Sequence, residues 1–295
     1  SDLYLCRQAE WDLYKDVEID LPTLKPGAIP DAHAERLRYS YGASDLDLDE
    51  QTIRNARRAY YGSISDIDNK VASLVQALDE SGLSDNTIVI FTSDHGDMLG
   101  ERGMWFKMSF LEHSARVPLI VHCPSRFETK RIQEAVSLVD LLPTLVDLGS
   151  EGKSIDYPTP LEGQSLLPHL NGDGGHDEAI GEYFAEGTDT PIFMIRRENL
   201  KAIFSRSDGL KIFDLNTDPH ETKNLASDEK FSRIANDLQA EIQSRYDIES
   251  LKERVLESQR RRGFLKHVMR EQGISWDHNP ASAADKSYVR NSMPI

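Results

Sequence analysis

Two apolar runs, TIVIF (87–91) and VPLIVHC (117–123), constrain the fold more than any other feature of the chain. Each is too short for a helix and lacks polar alternation, so each reads as a strand buried on both faces. Ahead of the first, Tyr60, Ile64, Ile67, Val71, Leu74 and Leu78 recur at spacings of three and four, one apolar stripe along a helix over residues 52–81. Gly82 stands where a helix C-cap glycine belongs, and Ser84-Asp85-Asn86 supplies a turn into the strand. Downstream, SLVDLLPTLVDLG (137–149) reads as a helix with Pro143 near its first turn and Gly149 as its stop, and LEGQSLLPHL (161–170) as a short helical or looped segment. This alternation predicts an α/β core, a mainly parallel or mixed sheet flanked by helices.

After about residue 176 the grammar changes. EAIGEYF (178–184), IFMIRR (192–197), LKAIFSR (200–206) and LKIFDL (210–215) are short β runs joined by turns, the pattern of a small antiparallel sheet. DPHETKNLA (218–226) is a turn leading into a helix. Residues 227–271 look helical, with a basic run Arg260-Arg261-Arg262 that is a solvated helix face first and an interface second. The tail ISWDHNPASAADKSYVRNSMPI has no period and is expected to be irregular and extended. Residues 1–50 are polar and proline-bearing, with an acidic finish at Asp45, Asp47, Asp49 and Glu50, and read as loops and turns. The expected division is therefore an irregular connecting segment (1–50), α/β core (51–175), antiparallel subdomain (176–226) and C-terminal helices with tail (227–295).

A net charge of −16 argues against a nucleic-acid partner, because phosphate binding needs a basic face. No run approaches the ~18 apolar residues of a membrane helix, and no basic-then-apolar leader opens the chain. The start lacks Met and begins in mid-pattern, which reads as a processed or truncated chain. Cys6 and Cys123 are the only cysteines and lie far apart, giving neither a metal spacing nor a disulfide framework. A reducing, cytoplasmic compartment is the default expectation.

Chemistry concentrates at the end of the first β run, in Ser93-Asp94-His95-Gly96. Ligands of open α/β sheets bind at the carboxyl ends of strands. Asp94 and His95 are both metal-ligand types, Gly96 permits a sharp turn or close approach, and Lys107 could place a point charge on an anion. The same residues also fit a plain turn cap, a local hydrogen bond and a solvated lysine, and residue types leave both readings open. His113, His122 and His169 have no partners at ligand spacing and read as local hydrogen-bonders.

The wider context resembles one family. ARRAYYGSISDIDNKVASLVQALDESGLSDNTIVIFTSDHGDMLGERGMWFKMSFLEHSARVPLIVHCP is similar to the C-terminal half of the sulfatases, in the alkaline-phosphatase superfamily. SLVDLLPTLVDLG, LEGQSLLP and FDLNTDPHETKNLA follow in the family's order. GERGMWFKMSFLEHSARVPLIVHCP, GEYFAEG and WDHNPASAADKSYVRN are similar to the choline-sulfatase branch. The resemblance implies hydrolysis of a sulfuric ester such as choline sulfate. It implies Asp94 and His95 as ligands of a divalent cation, Ca²⁺ first and Mg²⁺ or Mn²⁺ as alternatives. Lys107 matches the lysine that contacts the sulfate. An ordinary sulfatase often has Asn after this Asp, so His95 is a variant.

The family's nucleophile is a formylglycine made within a C-x-P-S-R or S-x-P-S-R motif. Cys123-Pro124-Ser125-Arg126 lacks the intervening residue and follows the second β run, so it is rejected as the nucleophile. The resemblance thus places the nucleophile, with formylglycine, in a missing N-terminal segment or another chain, and the 295 residues alone are expected to be inactive. Choline is a quaternary ammonium, held by aromatic faces and a carboxylate. Glu182 is the preferred carboxylate, with Tyr183, Glu186, Trp276 and Asp277 as further candidates. The tail resembles an extension at subunit contacts, so a homo-oligomer is expected. The rivals are another sulfatase, a phosphonate or phosphate monoester hydrolase, or a non-catalytic binding module on the same scaffold.

Overall fold

The structure is a computed structural model and describes residues 4–44, 46–150, 153, 155 and 158–274. Eight α-helices are described: α1 (Gln8–Asp12), α2 (Ala32–Ser40), α3 (Glu50–Glu80), α4 (Glu112–Ala115), α5 (Leu141–Gly149), α6 (Leu167–Asn171), α7 (Ser232–Arg245) and α8 (Ile248–Glu271). The strands are β1 (Val89–Thr92), β2 (Leu119–His122), β3 (Ala179–Tyr183), β4 (Ile192–Arg197), β5 (Leu200–Ser205) and β6 (Gly209–Asp214).

β1 and β2 pair antiparallel, with Val89 opposite His122 and Thr92 opposite Leu119. This pair is antiparallel where a mainly parallel or mixed sheet was expected, and the α/β class with a following antiparallel sheet stands. The reason lies in the connection. Residues 93–118 contain only the short α4 and a 3₁₀ turn, so the chain reverses at the end of β1 and never crosses back to its start, as a parallel neighbour must. β1 is half-buried along its length, not enclosed on both faces as expected. Ile88 and Val121 pack with Cys123, Phe127 and Leu170.

Residues 4–44 hold more helix than the loops and turns expected from their composition. Asp31 N-caps α2 by accepting from the backbone N–H groups of His33 and Ala34, and Lys211 pairs with the same carboxylate at 2.8 Å. α1 lies on the first half of α3, where Arg58 covers the Trp11 ring at 4.2 Å. Gly62 makes this approach possible, because a Cβ there would sit 2.7 Å from Cys6 Sγ. Asp49 caps α3 and Gly82, at φ +69°, ends it. On the second half of α3 the predicted stripe is a helix face, but Ile64, Ile67 and Leu74 are exposed.

The second sheet runs β3-β4-β5-β6, all antiparallel, matching the sequence expectation strand for strand. Alternation gives it two apolar faces. Phe193, Ile195 and Phe204 pack under Ile242 of α7 and Ile248 of α8. Ala202 and Ile212 extend that layer to Leu225 and Ala235. The opposite face carries Gly181, Tyr183, Ile192, Lys201, Ile203 and Lys211, and it lies against the segment that follows β1.

Candidate active site

The segment 93–111 begins at the carboxyl end of β1, and its backbone is unusual. Of the described non-glycine residues with positive φ, Leu99, Arg102, Phe106 and Met108 all fall within ten residues of one another (φ 45°, 56°, 66° and 84°). Left-handed geometry in bulky residues costs on the order of 1–3 kcal/mol each and persists only where surroundings enforce it. The enforcement is visible. Glu101 is buried and accepts from the Thr23 and Leu24 N–H groups at 2.9 and 3.0 Å. Arg57 donates to the Leu99 carbonyl at 2.9 Å, and Arg102 donates to the carbonyls of His220 and Glu221. Met98 N–H donates to Phe106 O at 2.7 Å, closing the loop on itself.

At the strand tip, the Asp94 side chain is 84% exposed and its Oδ1 accepts from the His95 N–H at 3.0 Å. His95 Nδ1 lies 2.8 Å from Gly96 O, which only accepts, so this ring nitrogen is the donor in that contact. That Nε2 lies 3.4 Å from Asp94 Oδ2. Two ligand atoms on one divalent cation stand about 3 Å apart, a spacing that this pair would match with Nε2 unprotonated. The imidazole tautomer fixed by a backbone carbonyl is the arrangement that metal-bound histidines use. Burial pushes the Asp94 carboxyl up slightly, but His95 and the local N–H groups hold it below the usual carboxylate range. The donor chemistry fits a divalent cation, yet two ligands fall short of the six or more it takes. Among the described residues no cluster of three metal-ligating side chains occurs.

Gly96 has a concrete reason to be glycine. A Cβ would sit 2.1 Å from the carbonyl oxygen of His113, and its N–H donates to Ser114 O at 2.8 Å. The close approach is to the chain's own α4 backbone, which anchors the tip. Lys107 is half-buried between the left-handed Phe106 and Met108. A fixed loop therefore carries the one lysine the sequence singled out.

Sequence reasoning missed a second ring of support. Tyr4 donates to Asp97 Oδ1 at 2.9 Å and accepts from the Phe106 N–H at 3.3 Å, joining the start of the chain to both ends of the loop. Burial raises the Asp97 carboxyl above its ordinary range, and the Leu99 N–H and Tyr4 only partly offset it. Asp97 directly follows Asp-His-Gly, but nothing local could have announced that Tyr4, 93 residues away, meets it.

Gly181 of β3 brings the second sheet to this loop, because a Cβ there would lie 2.4 Å from the Phe110 ring. Tyr183 shares that face and lines a small cavity with His33, Ser109 and Phe110. Its hydroxyl donates to Glu186 O at 3.0 Å. Glu182 alternates to the other face, where it pairs with Phe193 in register and accepts from the Tyr246 hydroxyl; burial and this carboxylate push Tyr246 up to about 12. Glu182 and Tyr183 are thus not brought together. Trp276 and Asp277 lie outside the described residues. His169 and His176 form a local chain with Asp140, His176 Nε2 meeting the carboxylate at 3.0 Å and His169 Nε2 meeting His176 O at 3.0 Å. His113 stacks near His220 with ring centroids 6.5 Å apart. Cys6 and Cys123 are free thiols, and Cys123 packs with Phe127 and Leu170. Among the described residues no helix is long and apolar enough to cross a membrane.

Comparison with known proteins follows the same lines. The family model described as Sulfatase matches residues 24–150, N-sulphoglucosamine sulphohydrolase, C-terminal, matches 100–247, and Choline sulfatase enzyme C terminal matches 253–295. A choline-sulfatase of Rhizobium meliloti (strain 1021) is 38% identical over 306 residues, covering 100% of this chain and 58% of the relative. An arylsulfatase of Clostridium perfringens (strain 13 / Type A) is 31% identical over 75% of this chain and 46% of its own length. The phosphonate monoester hydrolase of Agrobacterium radiobacter superposes with a TM-score of 0.64 at 25% identity, over 76% of this chain and 51% of that one. The chain spans about half the length of the curated relatives it matches. Its fold is that of the alkaline-phosphatase-like hydrolases. Within them, the chain belongs to the sulfatase family.

Proposed function

We propose that the chain is the downstream part of a sulfuric ester hydrolase acting on choline sulfate. The observation that carries this reading is the likeness to a choline-sulfatase over the full chain, including the C-terminal family match at 253–295. Sulfatases generally use a divalent cation and a formylglycine. In this reading Asp94 and His95 hold the cation, Ca²⁺ first, and the attacking group comes from residues outside these 295. When bound, the cation supplies positive charge against the sulfate oxygens. Lys107 holds its ammonium where negative charge grows as the ester bond breaks, on a backbone that need not reorganise. Glu182, Trp276 and Asp277 are proposed for the choline side, and the tail for contacts between copies.

The metal assignment has a direct check. Asp94→Ala should strip most of the bound cation, read by elemental analysis, and leave the fold intact because the side chain is exposed. Lys107→Ala should keep the cation and lower turnover about a hundredfold. Full metal occupancy in Asp94→Ala would refute the ligand role.

Substrate choice is tested by assaying the enzyme, nucleophile-bearing segment included, on choline sulfate, an aryl sulfate and a phosphonate monoester. A preference of about a hundredfold in kcat/KM for choline sulfate is expected. Equal use of the aryl sulfate sinks the choline assignment. Dominant phosphonate turnover favours the reading suggested by the likeness to phosphonate monoester hydrolase. No turnover at all leaves a non-catalytic module.

A further inference from the structure

His33 is 7% exposed, and none of the chemistry above uses it. Its Nε2 lies 2.8 Å from the carbonyl oxygen of Met108, next to Lys107, and its Nδ1 lies 3.0 Å from the carbonyl oxygen of Gly187, in the loop after β3. A carbonyl oxygen only accepts, so each contact is a hydrogen bond only where the facing ring nitrogen carries a proton. A neutral imidazole carries one such proton and an imidazolium two. We propose that His33 is a positioning residue for Lys107: as an imidazolium it clamps the Lys107 loop to the 184–188 loop, and as a neutral ring it can hold only one of them. The proposal rests on the reading of Lys107 as the sulfate contact.

Charged groups of both signs surround the ring. Asp31 stands at the cap of the same helix, and burial raises its carboxyl while Lys211 at 2.8 Å, the Ala34 N–H and His33 together hold it low. Arg36 donates from Nε to the same Gly187 oxygen at 2.8 Å and is itself paired with Asp208 at 2.6 Å and Asp189 at 3.5 Å. From β3, Tyr183 meets the imidazole edge-on with centroids 5.9 Å apart, and its hydroxyl is tied to Glu186. The positive charges of Lys211 and Arg36 are thus matched by carboxylates, and the ring faces carbonyl oxygens. The left-handed Met108 explains why the clamp is needed. Its carbonyl is turned back toward α2 by a backbone that a bulky residue does not adopt unaided.

The experiment is ring nitrogen-15 NMR of the enzyme, nucleophile-bearing segment included, between about pH 5.5 and about pH 8.5, with amide exchange read at Phe106 and Thr188. Both His33 ring nitrogens should be protonated at the acid end and one at the alkaline end. Amide protection in the two loops, corrected for intrinsic exchange, should fall along the same curve. His33→Gln, whose carboxamide donates from one end only, should lose about tenfold or more of that protection at acid pH and show no such pH course. A single ring proton throughout overturns the proposal, and so do loop amides that ignore the ring. These readouts involve no sulfate, so a failed sulfate assignment, seen as unchanged turnover in Lys107→Ala, would be told apart from a failed clamp. In the active enzyme, kcat/KM for the sulfate ester should fall with the same pH course.

Discussion

The two sheets of this protein sit in opposite energetic situations. In β3–β6, Phe193 and Ile212 are fully buried, and α7 and α8 close one face while the Lys107 segment closes the other. Around β1 and β2, the helix stripe and the strands have the same apolar character, yet Leu74 is 67% exposed and Ile120, Leu142 and Leu145 are also open. The four-stranded sheet therefore stands as a finished core, whereas the β1–β2 region carries the strand tip of the site on a layer with exposed apolar side chains. This difference teaches where the site's rigidity comes from. Its supports are drawn from the finished side, through Gly181 against Phe110, Lys201 against Glu112 and Arg102 against the carbonyls of 220 and 221.

Three substitutions test the contrast. Phe193→Ala removes a ring stacked on Tyr246 at 4.3 Å and should cost about 3–5 kcal/mol, seen as a lower denaturant midpoint. A cost near zero would mean the second sheet is not the core. Lys201 is 1% exposed and joins Glu112 and Glu221, each at 2.8 Å. Lys201→Met leaves those carboxylates without it, at a cost of roughly 3 kcal/mol.

The pH dependence of this pair has a definite sign. Burial pushes the Glu112 carboxyl up, but Lys201, helped by Arg196 and Arg116, offsets that, so its folded value lies below the unfolded one of about 4.3. The pair's stabilisation is then present above that unfolded value and lost as pH falls through the folded one. Acid titration of stability should show this loss in the wild type and not in Lys201→Met. The smallest effect is expected at Leu74→Ser, within about 0.5 kcal/mol by the same denaturant measurement. A loss comparable to Phe193→Ala would show that the helix stripe is already covered, and the contrast between the two regions would collapse.

Much of this was legible in the residues. Periodicity placed α3, α5 and the four strands of the second sheet, because helix and strand periods are properties of consecutive side chains. Local pattern and family resemblance also singled out the strand-end Asp94-His95-Gly96 and Lys107 as candidates. The antiparallel return of β2 was not, since two buried strands read alike whichever way they run. Nor were α1 and α2, although the Asp31 cap before AHAERLRYS was a signal that could have found α2. Tyr4 on Asp97 and His33 on Met108 were invisible for a different reason: each joins segments at least 75 residues apart.

The sequence by itself determined the long helix α3, the strands of the second sheet, the strand tip and the chemical types available there. Only the tertiary structure decided that Gly96 is required by the backbone of residue 113 and that Glu182 turns away from Tyr183. It also decided that the lysine loop is held in left-handed turns from both sides. The physical reason is range. Local preference is set by neighbours along the chain, whereas strain and orientation at a site are set by whichever distant groups the fold packs against it.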